Sequence, residues 1–349
     1  ITVGGSEFTT IANGAGEWSY TLPAGIVPSG EGSMPIQVVA TDRAGNEALL
    51  SDTLTYDTLV TELGMDSDVG GADGVFNGTE MDGGLTLTGE VEPGSTVFVT
   101  VDGERKEAQV DGNGNWTVTY NEGVIAGGER NAEVTIEARD AAGNTLTETS
   151  QIEIDTIGTE PVVEAVMRDT TGVRSVSIEE TTDDVTAFAV NEAGQVTEVA
   201  STDIDVDGET MMVFGNKVPN GSQIVLSSED TAGNQSDTLF VLDTTNERPE
   251  GAMFEVDLDN TGLDDFELGA IDLQFVNGGQ VTLNAADLDR LAGVDGAITI
   301  HGGEDDRVVL EGATHTGQST DVDGATYDVY TLGTEGQVLV EHGVEVVLP

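Results

Sequence analysis

Acidic side chains are the chemically capable residues of this chain, and some of them recur at nearly fixed spacing. Asp42-Arg-Ala-Gly-Asn46, Asp140-Ala-Ala-Gly-Asn144 and Asp230-Thr-Ala-Gly-Asn234 are near copies of one another. Each is followed, 15, 15 and 13 positions after its Asp, by an Asp-Thr pair beginning at Asp57, Asp155 and Asp243. More acid follows the first pair, in Asp66-Ser-Asp68-Val-Gly-Gly-Ala-Asp73-Gly74. Carboxylate and carbonyl oxygens suit hard cations, and calcium takes about six to eight of them from irregular loops. The expectation is calcium held where one repeat ends and the next begins, with Asp57, Asp66, Asp68, Asp73, Asp155 and Asp243 as ligands. Asp42, Asp140 and Asp230 stand at strand ends, from which they could reach the same junctions. A second reading of those three is a turn cap, in which the carboxylate bonds the backbone of its own Gly-Asn turn.

Other segments carry weaker metal patterns. Asp257-Leu-Asp259-Asn-Thr-Gly262 starts like an EF-hand loop, with Asp257 and Asp259 as candidate ligands and Gly at position 6. Position 12 is Leu268, and the acid falls one place early at Glu267. Asp203-Ile-Asp205-Val-Asp207-Gly208 starts the same way but has Phe214 where the bidentate acid belongs, and it alternates like a strand with an acidic outer face. Gly302-Gly-Glu-Asp-Asp-Arg-Val308 is similar to one turn of the nonapeptide repeat of calcium-binding parallel rolls, where ions sit between stacked turns. His301, His315 and His342 have no zinc spacing, so no shared histidine site is expected. No carboxylate pair is singled out as catalytic, and the chain reads as a non-enzyme.

Charge narrows the class. There are 66 Asp and Glu against 11 Lys and Arg, a formal net charge of −55. A compact chain with so much like charge repels itself. High charge can also mean disorder, but the apolar residues alternate cleanly in many short runs. A folded chain whose carboxylates are neutralised by bound cations fits both facts. Nucleic acid is excluded as a partner, because phosphate needs clustered basic residues. No apolar run approaches the roughly 20 residues of a membrane-spanning helix, so no membrane insertion is expected. The absence of Cys excludes disulfides and thiol chemistry. Ile1 is not a natural start, so the sequence reads as a fragment and says nothing about a signal peptide.

The elements that must position these acids are strands. Shifted by 98 positions, Gly14, Gly16 and Trp18 fall on Gly112, Gly114 and Trp116. Ile36, Val38 and Ala40 fall on Val134, Ile136 and Ala138, and Leu54 and Tyr56 on Ile152 and Ile154. Spacing by two is strand periodicity with one face buried. About seven short strands per repeat predict an immunoglobulin-like sandwich, with Trp18 and Trp116 in the core. Ile1 aligns with Val99, so residues 1–57 read as the C-terminal part of a truncated module lacking its leading strands. Residues 58–157 form the complete module. Residues 158–245 form a diverged one, in which Met211 and Met212 stand near the place of the missing Gly-Xaa-Trp. Residues 246–349 read as a mostly β domain with one short helix over Thr282–Ala292, started by Thr282 or Asn284 and ended at Gly293. The fold class is mainly β: tandem sandwiches in a linear array, then this last domain.

Gly-Xaa-Trp, Asp-Xaa-Ala-Gly-Asn and Asp-Thr at this period resemble the bacterial immunoglobulin-like modules of giant repeats-in-toxin adhesins, over residues 1–245. Leu283-Asn-Ala-Ala-Asp-Leu288, Ile300 to Asp306 and Asp323 to Thr331 are similar to a module near the C-terminal part of such adhesins. The family often has Pro soon after Asp-Thr; here Leu59 follows, and Pro161 and Pro249 come late. The resemblance implies a protein of the bacterial cell surface, exported by type I secretion and active in adhesion or biofilm. It implies several structural Ca2+ ions and a role as a stiff extracellular spacer. Its partners would be neighbouring modules of the same long chain and a host or biofilm surface ligand. An alternative is a glycan or peptide site in 246–349, with Tyr327 and Tyr330 as candidates, although Tyr327 reads better as core.

Overall fold

A computed structural model describes residues 1–349 except 68, 69, 72, 221, 243–251, 294, 295, 323 and 335. The chain is mostly strand and divides into two compact units, residues 1–76 with 83–154, and residues 77–82 with 155–349.

In the first unit, one sheet runs Gln109–Val110, Asn115–Thr119, Thr86–Val91, Leu63–Met65. A second runs Val75–Phe76, Thr145–Asp155, Glu129–Arg139, Thr96–Val101, Glu104–Glu107. Alternate residues of both are buried: Leu87, Val99, Trp116, Val118, Ile136 and Ile154. This is the immunoglobulin-like sandwich that the alternation predicts. Asp102 and Gly103 join two strands of the second sheet in a two-residue turn with both φ angles positive, 52° and 87°, which matches the strand twist. Trp116 is fully buried, and its Nε1 donates to the Gly64 carbonyl at 3.0 Å. Gly89 lies under the indole. A Cβ there would stand 2.1 Å from the Gly64 oxygen and 2.6 Å from Trp116 Cζ2, so only glycine fits.

Residues 1–57 make a separate four-stranded sheet, ordered Ser6–Glu7, Thr2–Val3, Glu31–Thr41, Glu47–Asp57. Its two long strands pair from Glu31↔Asp57 to Thr41↔Glu47. Val3 and Met34 are its buried apolar residues. Trp18 is 45% exposed, so the expectation that it is core is corrected. The physical reason is missing pairing. Its counterpart Trp116 lies on a strand paired with Thr86–Val91, whereas Trp18 lies within residues 8–30, which contain no strand.

The second unit begins as a sandwich and continues as a parallel roll. One sheet is ordered Val163–Asp169, Gly172–Glu179, Glu209–Pro219, Ser201–Val206. Met212 takes a core position there. Asp203 and Asp205 lie on the exposed edge strand, and Asp207-Gly208 is its hairpin turn, so that segment is a strand with an acidic exposed face. The facing sheet has nine strands. Asp184–Val190, Gln223–Glu229 and Gln235–Phe240 belong to the third repeat, and Leu268–Asp272, Ala297–His301 and Gly336–Glu341 add in parallel beside them. From Phe254 onward the chain alternates between this sheet and an all-parallel one made of Phe254–Glu255, Gly279–Asn284, Arg307–Glu311 and Glu345–Val347. Val190, Val225 and Leu239 share one core with Leu268, Val281, Ile300 and Val340. Sheet and core therefore run across the expected boundary at 245/246. The helix is Ala285–Leu291, shorter than expected, because Thr282 belongs to the preceding strand. Asn284 and Asp287 form its capping box, and it ends at Ala292 in extended backbone rather than at Gly293.

Trp116→Ala should cost about 3–5 kcal/mol in chemical denaturation of the first unit, and Gly89→Ala about 1–3 kcal/mol or more. Trp18→Ala should stay within about 0.5 kcal/mol. Equal losses at Trp18 and Trp116 would contradict this packing.

Candidate metal centre

The repeated Asp residues fold back on their own turns. Asp42 Oδ1 accepts from the backbone N–H groups of Ala44 (2.8 Å) and Asn46 (2.9 Å), and its Oδ2 accepts from Asn46 Nδ2 (2.8 Å). Asp140 accepts from Gly143, Asn144 and Asn144 Nδ2 at 2.6, 2.8 and 2.7 Å. Asp230 accepts from Ala232, Asn234 and Asn234 Nδ2 at 2.8, 2.9 and 2.8 Å. Asp111 does the same with Asn113 and Asn115, a fourth copy of the device. The Asn46 side chain and then its backbone N–H hold the Asp42 carboxyl below the usual carboxylate range. Both oxygens of each Asp accept a bond within the turn, which is the turn-cap arrangement.

The Asn of the motif does something the sequence does not announce. Asn144 Nδ2 also donates to Asp57 Oδ1 at 2.9 Å. Asn234 Nδ2 also donates to the Asp155 carbonyl at 2.9 Å. In both cases the Asp that closes one repeat is bonded by the Asn of the next.

Asp57 is also where the acids converge. Single carboxylate oxygens of Glu31, Asp57 and Glu92 all lie within 4.8 Å of one another. Glu31 and Asp57 are a cross-strand pair. Glu92 comes from the Glu-Pro-Gly turn, and its Oε2 accepts from the Thr61 backbone N–H (2.8 Å) and Oγ1 (3.1 Å). The Glu31 carboxyl is pushed up, first by the charge of Glu92, then by burial, with Asp57 adding to it. No ion pair among the described residues neutralises these three. Oxygens on opposite sides of one calcium ion stand about 4.6–5.2 Å apart, so the trio fits a hard cation. Glu31 and Glu92 are not among the expected ligands. The strand pairing and the turn name them only once the register is known.

Among the described residues, the other expected ligands form no cluster of this kind. Asp66 accepts from Thr88 Oγ1 at 2.6 Å, and Asp73 from the Val75 N–H at 3.2 Å. Asp155 Oδ1 accepts from the Ile157 N–H at 3.3 Å. Asp68 and Asp243 lie outside the described residues. Asp257 and Asp259 are exposed at the start of a 3-10 helix, Thr261–Asp265, capped by Asn260. Gly262 is needed there for close packing, since a Cβ would stand 2.5 Å from Val190 Cγ1, and it makes no EF-hand turn.

In the roll, Gly302 to Val308 does turn between stacked strands. Its acids fasten backbone: Asp306 accepts from the N–H groups of Gly279 (2.7 Å) and Gly303 (2.8 Å), and Asp305 from that of Gly278 (3.0 Å). Asp272 is buried near them and accepts from the Gln274 N–H at 2.8 Å. Burial, and then the charges of Glu341 and Asp306, push its carboxyl up to about 7. Tyr327 and Tyr330 are buried, with the Tyr327 hydroxyl on His301 Nδ1 at 2.8 Å.

Residues 53–156 match the bacterial Ig-like domain family. Among solved structures, the chain is similar to one described for host cell surface retention of a 1.5-MDa bacterial ice-binding adhesin. There the identity is 24%, the TM-score 0.38, and the match covers 68% of this chain and 82% of that one. It is also similar to a Ca2+-stabilized adhesin with which an Antarctic bacterium reaches out and binds ice. In that case the identity is 25% and the TM-score 0.34, covering 68% of this chain and 62% of the other. A tetra-tandem repeat from the extending region of a large adhesion protein matches at 19% identity and TM-score 0.22, covering 60% and 55%. No curated protein matches the sequence. Among the described residues no helix is long and apolar enough to cross a membrane.

Asn144→Ala removes a clasp of its own turn and the bond to Asp57, and should cost about 1–2 kcal/mol by calorimetry. Asp272 gives a pH dependence. Its folded carboxyl is held above the ordinary range, so the folded state keeps a proton that the unfolded chain releases. That stability is complete below the ordinary carboxylate range and is lost as pH rises to about 7. Melting temperatures should therefore fall between about pH 4 and about pH 7 and flatten in Asp272→Asn; an equally steep fall in the variant would show that another group is responsible.

Proposed function

We propose that this chain is a calcium-rigidified extracellular spacer of a bacterial cell-surface adhesin, exported by type I secretion. The observation that carries the reading is the unneutralised trio Glu31, Asp57 and Glu92, set where the first repeat closes and the second opens. The repeat of 98 positions, the Ig-like match over 53–156 and the net charge of −55 support it. In this reading the chain is four modules, 1–57, 58–157, 158–245 and 246–349, with the last two sharing a sheet. Calcium at a junction replaces three mutually repelling carboxylates by one neutralised centre and removes freedom between consecutive modules. Its partners are then the neighbouring modules of a longer chain, which hold a distant ligand-binding region away from the cell. The alternative, a glycan or peptide site on Tyr327 and Tyr330, is disfavoured because both rings are buried.

Extracellular modules bind calcium with dissociation constants of about 10⁻⁴–10⁻³ M. At free ion of about 100 times that constant, each site adds roughly 2.7 kcal/mol to the folded state. Thermal melts and small-angle scattering in millimolar calcium, then in chelator, test the proposal. The expected result is a longer, stiffer particle in calcium and a melting point about 10 °C or more higher, with the gain largely lost in Glu92→Gln. Identical profiles in calcium and chelator would sink it. In chelator the raised Glu31 carboxyl should make the first unit less stable as pH rises out of the carboxylate range, because the like charges then appear together. Calcium should remove that fall.

A further inference from the structure

The sequence holds three histidines in 349 residues, and their spacing predicts no common site. The fold brings two of them to one carboxylate. His342 Nε2 lies 2.9 Å from Asp328 Oδ1, and His315 Nε2 lies 3.9 Å from the same oxygen. The three residues come from three segments: His315 from Thr314–Val322, Asp328 from Ala325–Leu332, and His342 from just beyond Gly336–Glu341. We propose that His315, Asp328 and His342 form a binding site for a divalent transition-metal ion of the zinc class.

Several observations support this assignment. Zinc bound at about 2.0–2.2 Å by imidazole and carboxylate places neighbouring ligand atoms about 3.3–3.5 Å apart. The two separations from Asp328 Oδ1, 2.9 and 3.9 Å, lie on either side of that spacing. The two imidazoles stand more than 4.8 Å apart, so an ion would draw the exposed rings toward each other about the shared carboxylate. At 3.9 Å His315 makes no hydrogen bond to Asp328, which leaves its Nε2 available. Its ring is already oriented by the Tyr330 ring, with centroids 4.9 Å apart. A strand irregularity serves the same end. Asp328 and Tyr330 are two residues apart, while their partners Ser319 and His315 are four apart, and Gly317 between them takes φ 76°. Bulges of this kind re-aim side chains. Ser319 Oγ donates to Asp328 Oδ1 at 2.8 Å and steadies the carboxylate. The backbone N–H of His342 donates to the Thr326 carbonyl at 2.9 Å and fixes the other side.

The side chains are 43%, 35% and 50% exposed, so an ion can reach them and keep water in an open position. Two imidazoles select zinc, nickel or copper over calcium. The site is thus chemically separate from the all-oxygen trio of the first unit. A bound ion would tie the Thr314–Leu332 hairpin to the end of Gly336–Glu341.

The test is isothermal titration of zinc into the full chain, stripped of metal and then held in millimolar calcium so that hard-ion sites are filled. One zinc per chain is expected, with affinity at least tenfold weaker in His315→Ala and in His342→Ala, and unchanged in Glu92→Gln. Cobalt should give the visible absorption of a four-coordinate centre in the wild type and in neither histidine variant. Metal-free melts of the variants, and His315→Gln as a second variant, check that folding is intact. No zinc binding, or unchanged binding in His315→Ala, would overturn the proposal.

Discussion

With 66 acids and 11 basic residues, ion pairing can neutralise only a small part of the charge, and the rest of this structure depends on where the remaining carboxylates find their donors. The commonest answer is backbone N–H. Asp42, Asp111, Asp140 and Asp230 each take two backbone donors and one Asn amide within their own turn. Such bonds favour the ionised form and hold it without any cation. This is why a chain that repels itself can still make tight antiparallel hairpins.

The turn cap also organises its surroundings. By clasping the Asn side chain, the Asp fixes the direction of the remaining Asn hydrogen. In two repeats that hydrogen goes to the Asp that closes the preceding repeat. At Asp57 this pins one carboxylate beside two others, Glu31 across the hairpin and Glu92 on a turn. A neutral donor network therefore builds and orients a centre whose own charges are not balanced. The roll uses the same device differently: Asp305 and Asp306 reach from one coil to the amides of the coil before, so that acids replace a sheet ladder at the bends.

Much of this is legible in the sequence, and the failures have physical causes. Period-two alternation finds the strands from Leu85 to Ile154 and most of those after Ile298, because one face of each is buried. It cannot show that most strands after Phe254 pair in parallel, since side chains alternate alike in parallel and antiparallel sheets. The helix is expected too early because Thr282 and Leu283 fit either period, and only the Asn284 cap decides. Trp18 carries the same local signal as Trp116, but burial needs a pairing partner, which no local signal reports. Proximity in sequence puts weight on the acids Asp66, Asp68 and Asp73. The trio that forms has members 26 and 35 positions apart along the chain. Likewise, histidine spacing in the sequence does not report that a bulged hairpin sets both His315 and His342 beside Asp328.

The joining of the third repeat to the roll shows how divergence can be tolerated. That repeat lacks the Gly-Xaa-Trp whose indole fills the second one. An immunoglobulin-like sheet with a weakened core would expose its edge strand, Gln235–Phe240, as a template for pairing with other chains. Here that edge is covered by Leu268–Asp272, and Val225 and Leu239 face the apolar interior of the roll instead of solvent. The large side chain missing from the sandwich is offset by a second core on the other face of the same sheet. The cost is that the third repeat cannot serve as an interchangeable bead, because its outer face is committed to the roll.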